Sequence, residues 1–457
     1  MGRTIFLSFL GKGRYETANY TLDGMRATAT RFVQRAMVEL LSADAGAQPI
    51  DEIHVFTTPE AKEHSWEGYG GDASSGLRHE LEAWARGATY PAAVAAVDIP
   101  HPSNVDSAWD TFSILYDVLK KAVDESDDDS INVIFDITHS FRHLPMLTLL
   151  VLHFSKVVLD INVHGIFYGE YREGEESPIV DLGSFSVLQD WITRTEMFLH
   201  GGNARPLAEL TQEQHIAAKQ RRDSGVGHYR RVEEIVAGWS DLLSDIQVSR
   251  AKKIQPLARQ SVERIDSFME QKDEEEQVPR SLRPVTVLLN RVRAELSPMA
   301  VNDELSSGVA AVEWCMRQGL VQQAYTLARE LIVTLLCIRF DLSFTNRDSR
   351  EKAERHINTV AGKYRKNHGA HTAKPGGHRE DAAKGAPLSG DILDFLAEKE
   401  ELLKLWDTIA AMRNDVNHAG WLENPARGST LAKRLDVPML RGVLMQAFGD
   451  VGSPVVR

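Results

Sequence analysis

Over the first 185 residues, short apolar runs alternate with amphipathic stretches. The runs are β-branched or apolar and end in polar or turn residues, so they predict strands at Thr4–Leu10, Ile50–Thr57, Ala93–Ile99, Ile131–Ile137 and Val163–Tyr168. The stretches between them predict helices at Arg31–Leu41, Leu77–Arg86, Val105–Val123 and Leu144–Val158. This alternation is typical of an α/β, Rossmann-like domain with a mostly parallel sheet covered on both faces. Ligands of such sheets bind beyond the carboxyl ends of the strands.

From about residue 190 the pattern is helical throughout. It predicts helices at Asp190–Leu199, Gln212–Arg222, Arg230–Asp245, Ala251–Lys272, Val285–Leu296, Glu304–Arg317, Leu320–Arg339, Ser349–Lys363, Ile392–Arg413 and Pro438–Phe448. An acidic run from Asp273 to Glu276, with two prolines just beyond it, indicates a linker or helix end. We therefore expect an α/β domain over 1–188, an all-α connecting segment over 189–284 and an all-α domain over 285–457. A Gly-, His- and Lys-rich insertion near 367–390 is expected to be flexible.

Composition narrows the class of protein. The 457 residues suggest two or three compact units, and no apolar run is long enough to span a membrane. The start of the chain does not resemble a signal peptide, so we expect a cytoplasmic protein. Cys315 and Cys337 cannot form a disulfide framework or a thiolate zinc site, and neither a metal nor a cofactor is expected. The net charge of −13 argues against coating long duplex DNA but allows a small or single-stranded ligand in a local basic pocket.

The loop after the first strand is a candidate anion site. Its glycines, Gly11 and Gly13, allow backbone N–H groups to approach a ligand, and Lys12 and Arg14 supply positive charge. It lacks both the Walker spacing and the GxGxxG fingerprint. An ordinary turn at the end of a strand is an equally valid interpretation.

A second loop leaves the most apolar strand and enters a helix. Its polar side chains, with the free N–H groups of a helix start, suit phosphates and ribose hydroxyls. The candidate ligand residues here are Asp136, Thr138, His139, Ser140 and Arg142. The alternative is that Asp136 and Thr138 are caps and that His139 is a buried histidine with a structural role.

An Arg-x4-His motif lies near the end of a C-terminal helix. Arg413 and His418 could cleave RNA without metal, since an imidazole can move a proton during attack by the 2′-hydroxyl and a guanidinium can stabilise charge on the phosphate. On an ideal helix, residues five apart diverge by roughly 140°, so either the helix distorts or the cleft is wide. One histidine is few for two proton transfers, and a two-fold dimer would supply a second. The alternative is an Arg-His pair that caps a helix C-terminus.

With these segments in order, the chain resembles the CARF–HEPN ribonucleases of type III CRISPR systems. The resemblance rests on Phe6 to Gly11 followed by Tyr15, on the loop from Asp136 to Arg142, and on Arg413 to His418. It implies a CARF ligand-sensing domain over 1–188 and a HEPN ribonuclease domain over 285–457. This chain differs from the family at Ser140, where the family often has glycine.

The resemblance also implies an activity and its residues. A cyclic oligoadenylate would bind in a pocket shared across a homodimer and activate cleavage of single-stranded RNA to a 2′,3′-cyclic phosphate. Arg413 and His418 would be catalytic, and Asn414 matches the polar residue that often follows the arginine. The activator pocket would include Gly11, Lys12, Thr138, His139 and Arg142. Together with Gly13 and Arg14 of the first loop and Asp136 and Ser140 of the second, these residues form the candidate ligand set. We expect a ring of four adenylates rather than six, although the residues do not fix the ring size.

The sequence also allows other functions. The helical half could bind DNA as a nucleotide-responsive regulator, through the basic clusters Arg221–Arg222, Arg230–Arg231 and Arg250–Lys253. A Rossmann-type oxidoreductase ranks lower, because the first loop lacks the dinucleotide fingerprint. Degradation of the activator in its own pocket, RNA sequence preference and assembly beyond a dimer are left undecided.

Overall fold

The structure is a computed structural model that describes residues 2–43, 49–89, 91–101, 103–126, 130–139, 141, 143–270, 278–367, 389–418 and 425–449. The chain divides into two compact units between Gln189 and Asp190. In the described part of the chain, no helix has the length and apolar character needed to cross a membrane.

The N-terminal unit is built on an eight-stranded sheet. Its strands are β1 (Arg3–Leu10), β2 (Asn19–Leu22), β3 (Met25–Arg26), β4 (Glu52–Thr57), β5 (Ala93–Asp98), β6 (Ile131–Asp136), β7 (Asn162–Gly169) and β8 (Glu176–Asp181). Their order is β3-β2-β8-β7-β6-β1-β4-β5. The five strands from β7 to β5 are parallel, which confirms the α/β prediction.

Helices cover both faces of this sheet. They are α1 (Val33–Ala43), α2 (Pro59–Ala61), α3 (Leu77–Gly87), α4 (Val105–Asp124) and α5 (Leu144–Val158), and α6 (Gly183–Gly201) spans the division between the units. Strand β1 is buried along almost its whole length because its side chains serve two cores in turn. Phe6 and Leu10 pack with α1 and α3, and Leu7 and Phe9 pack with α4 and α5.

The sequence did not predict three edge strands. β3 has only two residues, and β8 is a mixed polar and apolar segment that contains Pro178. β8 pairs antiparallel with β7, and β2 pairs antiparallel with β3, so the sheet is mixed at one edge. Short, half-exposed edge strands lack the continuous apolar pattern that identifies buried ones.

The described residues of the C-terminal unit contain helices and no strand, which confirms the all-α prediction. The helices are α7 (Arg205–Gln220), α8 (Val226–Gln247), α9 (Ala251–Met269), α10 (Arg283–Leu296), α11 (Glu304–Arg317), α12 (Val321–Arg339), α13 (Arg347–Asn367), α14 (Gly390–Ala397), α15 (Glu400–Asn417), α16 (Gly428–Arg434) and α17 (Val437–Phe448). The further division of this unit at 284/285 stays a prediction.

One predicted helix is wrong. The segment Ile392–Arg413 is not a single helix, because the backbone leaves the helical region at Lys399 (φ −109°, ψ 61°) and separates α14 from α15. The apolar pattern continues across this break, which is why the sequence suggested one element. The predicted insertion near 367–390 lies, apart from its ends, outside the described residues, as does the acidic run from Asp273 to Glu276.

Candidate functional sites

The sheet of the N-terminal unit has a switch point between β1 and β6. From β1 the chain adds β4 and β5 on one side, and later adds β6 and β7 on the other. The loops that leave β1 and β6 therefore diverge and open a crevice at the carboxyl edge of the sheet, where α/β folds bind ligands. Both loops singled out in the sequence begin here.

A cavity of about 320 Å³ occupies this crevice. Among the sequence-predicted residues, Gly11, Lys12, Thr138 and His139 line it. The rest of the lining comes from the ends of neighbouring strands and the start of α5: Phe9, Leu10, Tyr15, Phe56, Thr58, Glu60, Ile99, His101, Phe141 and Leu144. The sequence did not suggest that residues at the ends of β4 and β5 line the cavity, although residues that follow neighbouring parallel strands share one edge of the sheet.

Other predicted residues have different positions. Arg14 lines a second cavity, of about 430 Å³, together with Tyr15, Glu16, Tyr20, Arg31, His139, Tyr171 and Glu173. Asp136 is fully buried and is absent from the lining of both cavities, as is Gly13. Ser140 and Arg142 lie outside the described residues.

Tyr15 and His139 form a wall common to the two cavities. Their rings lie 4.4 Å apart, centroid to centroid, at an angle of 39°. Backbone N–H groups of Gly11 and Gly13 face the Tyr15 hydroxyl, and burial raises the Tyr15 pKa above its usual value. The hydroxyl of Tyr69 donates a hydrogen bond to the Gly13 carbonyl. The glycine loop is thus held against a phenol, a contact that the sequence did not suggest.

A buried hydrogen-bond network supports the loop after β6. Asp136 accepts three hydrogen bonds: Oδ1 from the Thr138 N–H at 2.9 Å and the Thr138 hydroxyl at 2.5 Å, and Oδ2 from the Ser8 hydroxyl at 2.7 Å. Gln34, on α1, donates to the Ser8 Oγ at 3.2 Å. Burial raises the Asp136 pKa to about 6, and the three hydrogen bonds act in the opposite direction.

His139 also lies in the loop after β6. Burial lowers its pKa to about 4, so the imidazole is neutral near pH 7. Its Nε2 atom is buried without a hydrogen-bond partner among the described residues. A buried, unpartnered ring nitrogen beside a cavity is a group that a ligand could satisfy.

In the C-terminal unit, the Arg-x4-His motif ends α15. The helix runs to Asn417, and His418 is its C-cap, with φ −87° and ψ 8° and a backbone N–H bonded to the Asn414 carbonyl at 3.0 Å. His418 is exposed, whereas Arg413 and Asn414 are half-buried. The helix therefore ends at the histidine rather than distorting before it.

Arg413 lies beside a cluster of charged residues that the sequence analysis missed. Burial lowers its pKa first, and the positive charge of Arg329 lowers it further, while Glu330 and Glu354 raise it. The Arg413 Nε is buried and has no hydrogen-bond partner among the described residues. Arg329 is fixed by bonds to both glutamates and by packing over the Trp406 ring, 5.3 Å from its centroid.

Within the described residues, no group of three or more His, Cys, Asp or Glu side chains could hold a metal ion. Cys315 and Cys337 are buried free thiols.

Comparison with known proteins finds one family model and two similar proteins. Residues 5–171 match the family model of the CARF domain of the CRISPR system endoribonuclease Csx1. The CRISPR-associated protein MJ1674 of Methanocaldococcus jannaschii is 28% identical over 124 residues, which are 26% of this chain and only 19% of that protein. The solved structure of Enterococcus italicus Csm6 bound to cyclic hexa-2′-fluoro-hexa-dAMP aligns with a TM-score of 0.40 and 12% identity, over 98% of this chain and 95% of that one.

Proposed function

We propose that this chain is a CARF-containing effector of a type III CRISPR system, and that it is a cytoplasmic endoribonuclease activated by cyclic oligoadenylate. The match of residues 5–171 to the CARF domain model of Csx1 supports this proposal. The protein cuts single-stranded RNA without metal by attack of a 2′-hydroxyl, leaving a 2′,3′-cyclic phosphate.

The observation that carries the nuclease proposal is the end of α15. Arg413 presents a half-buried guanidinium whose Nε has no partner among the residues that the structure describes, and His418 is exposed where the helix ends. A guanidinium with a free donor can bind the phosphate and stabilise the charge that develops on it. An exposed imidazole can take the 2′-hydroxyl proton or return a proton to the leaving 5′-oxygen. Asn414, next to the arginine, is proposed to help position the RNA.

The crevice at the switch point supports the activator proposal. It combines aromatic and aliphatic walls with Lys12 at its rim, and the adjoining cavity adds Arg14 and Arg31. Adenine rings suit the apolar walls, and phosphates suit the cations. These groups fit a cyclic oligonucleotide better than a dinucleotide cofactor, whose glycine fingerprint the first loop lacks.

An uncovered apolar face supports the proposed homodimer. Helix α5 exposes six apolar side chains, of which Met146, Leu150 and Val157 are 61–74% exposed; the others are Leu149, Phe154 and Val158. Trp109 on α4 continues this face, because its ring contacts Phe112, which contacts Phe154. Such a patch, on the order of several hundred Å², is typical of an interaction surface.

The charge of this face favours a second copy as its occupant. The chain carries a net charge of −13, so most surface pairings between copies are repulsive. Helix α5 has no acidic residue and only one lysine, so two copies can pack their α5 faces around a two-fold axis without repulsion between carboxylates of this helix. A dimer would also bring two histidines to the RNA for the two proton transfers.

Cleavage of a fluorescent single-stranded RNA, with EDTA present, tests the proposal. Wild type, His418→Ala and His200→Ala are each assayed without activator, with cyclic tetra-adenylate and with cyclic hexa-adenylate. His200 is the control, since it is an exposed histidine near the end of a different helix, α6. We expect one ring to activate wild type and His200→Ala, and the His418→Ala variant to be inactive. If a ring binds tightly but no RNA is cut, the chain is a nucleotide-responsive regulator instead.

A further inference from the structure

Within the part of the chain that the structure describes, the partners of the Thr138 hydroxyl leave it one hydrogen-bonding position. A threonine hydroxyl offers one donor and two lone pairs. Its proton is committed to Asp136 Oδ1, because an ionised carboxylate can only accept. One lone pair is committed to the backbone N–H of Gly169, which can only donate, at 2.8 Å. The remaining position is a lone pair.

Both anchoring groups of this hydroxyl are fixed. Asp136 is fully buried and held by Ser8 as well as by Thr138. Gly169 is the last residue of β7, and its Cα packs so closely against Val33 that an added Cβ would lie 2.3 Å from the Val33 Cγ2. The polarity of the Thr138 hydroxyl is therefore set by the fold before any ligand arrives.

The negative charge of Asp136, next to the Thr138 hydroxyl, also favours a ligand group that donates a hydrogen bond. Asp136 places a negative carboxylate directly behind the hydroxyl, and no ion pair to it is found among the described residues. A phosphate oxygen needs a donor and is repelled by a nearby carboxylate. A ligand O–H or N–H group needs an acceptor and is attracted by the same charge.

We propose that Thr138 is a specificity-determining residue that accepts a hydrogen bond from a ligand hydroxyl or amino group and rejects a phosphate at that position. In a cyclic oligoadenylate the available donors are the ribose 2′-hydroxyls and the adenine 6-amino groups. The phosphates are then left to cations such as Lys12 and Arg14. This inference rests on the proposed activator and specifies how the pocket reads it.

A double-mutant cycle between protein and ligand tests the inference. The ligands are the preferred cyclic adenylate ring, the same ring without 2′-hydroxyls, and the ring with inosine in place of adenosine. The proteins are full-length wild type, Thr138→Val and Thr138→Ser, and the measurement is Kd by calorimetry. Serine keeps the hydroxyl and its bonds, so it separates loss of the acceptor from loss of fold.

For wild type and Thr138→Ser, we expect one of the two altered rings to bind about tenfold more weakly than the natural ring. For Thr138→Val, that penalty should shrink to less than about twofold, because the acceptor is gone. Which altered ring shows the coupling identifies the donor as hydroxyl or amine. Equal penalties in wild type and Thr138→Val for both rings would overturn the inference. If wild type binds no ring at all, it is the proposed function that fails.

Discussion

Asp415 Oδ2 accepts a hydrogen bond of 2.6 Å from the backbone N–H of Ala426, eleven residues further along the chain. Asp415 is almost fully buried and lies between Arg413 and His418 in sequence. The carboxylate thereby ties the end of α15 to the backbone that precedes α16. We expect this hydrogen bond to help hold His418, the C-cap of α15, in position.

Replacement of Asp415 by alanine should destabilise the protein and lower RNA cleavage. The Ala426 N–H would lose its acceptor, at a cost of roughly 1–3 kcal/mol in the free energy of unfolding. Asp415→Asn keeps an oxygen acceptor and should cost less. Urea unfolding and the cleavage assay measure the two effects, with the exposed Asp394 of α14 changed to alanine as the control. Unchanged cleavage by a stably folded Asp415→Ala protein would separate this tie from the proposed active site.

Glu354 should contribute more to RNA cleavage than Glu351, which lies on the same helix, α13. Glu354 pairs with Arg329, whose side chain is only 13% exposed, whereas Glu351 pairs with Arg347, which is 89% exposed. Loss of Glu354 leaves the largely buried Arg329 with Glu330 as its remaining carboxylate partner, while a surface pair contributes about 0–1 kcal/mol.

We therefore expect Glu354→Gln to lower RNA cleavage, because Arg329 would lose an anchor beside Arg413. Glu351→Gln removes the same charge from the same helix and should leave cleavage within about twofold of wild type. Activator affinity should stay unchanged in both variants, since Glu354 belongs to the C-terminal unit. Equal cleavage by the two variants would contradict a role for the cluster in positioning Arg413.

The sequence predicted the parallel strands because each is a short, mainly apolar run bounded by polar or turn residues, as the burial of β1 on both faces requires. It did not predict β2, β3 or β8, which are short and partly exposed; among their pairings, that of β2 with β8 joins strands distant in sequence. The break at Lys399 was missed for a related reason. The apolar spacing of α14 and α15 records which side chains are buried, and it carries no signal for a single non-helical residue.

The sequence also identified only some of the residues at the candidate sites. The sequence identified Thr138 and His139 because polar residues are concentrated after a buried strand. It did not identify Gln34 or Gly169, which meet this loop only after folding. It likewise found Arg413 from its motif, but not Arg329, which reaches it from another helix.

Asp136 and His139 should make opposite contributions to the pH dependence of stability. The folded-state pKa of Asp136 is about 6 against an ordinary 3.8, so the folded protein binds this proton more tightly, and stability falls as pH rises from about 4 to 6. The His139 pKa is about 4 against 6.5, so the unfolded chain binds that proton more tightly, and stability rises with pH over a similar range.

Asp136→Asn should isolate the first of these contributions. Asparagine can keep the Oδ1 acceptor for Thr138 and donate its amide to Ser8, whose hydroxyl can donate to the Phe9 carbonyl. The variant's stability relative to wild type should increase by up to about 3 kcal/mol between pH 4 and pH 7. Urea unfolding at several pH values measures this difference, and Asp110→Asn, at an exposed position on α4, should show no such trend. A difference that stays flat or decreases with pH would exclude a raised pKa of Asp136 in the folded protein.

A charge placed on the α5 face should dissociate the proposed dimer. Leu150→Glu and Val157→Glu each bring two like charges together across a two-fold interface, and each buries a carboxylate against apolar side chains. Val287→Glu on α10 is the control, because Val287 is 68% exposed, comparable to Leu150 at 61%, but belongs to the other unit. Light scattering coupled to size-exclusion chromatography should give a dimer mass for wild type and Val287→Glu, and a monomer mass for the α5 variants. If the α5 variants keep a dimer mass, the copies associate through another surface and the α5 face has a different partner.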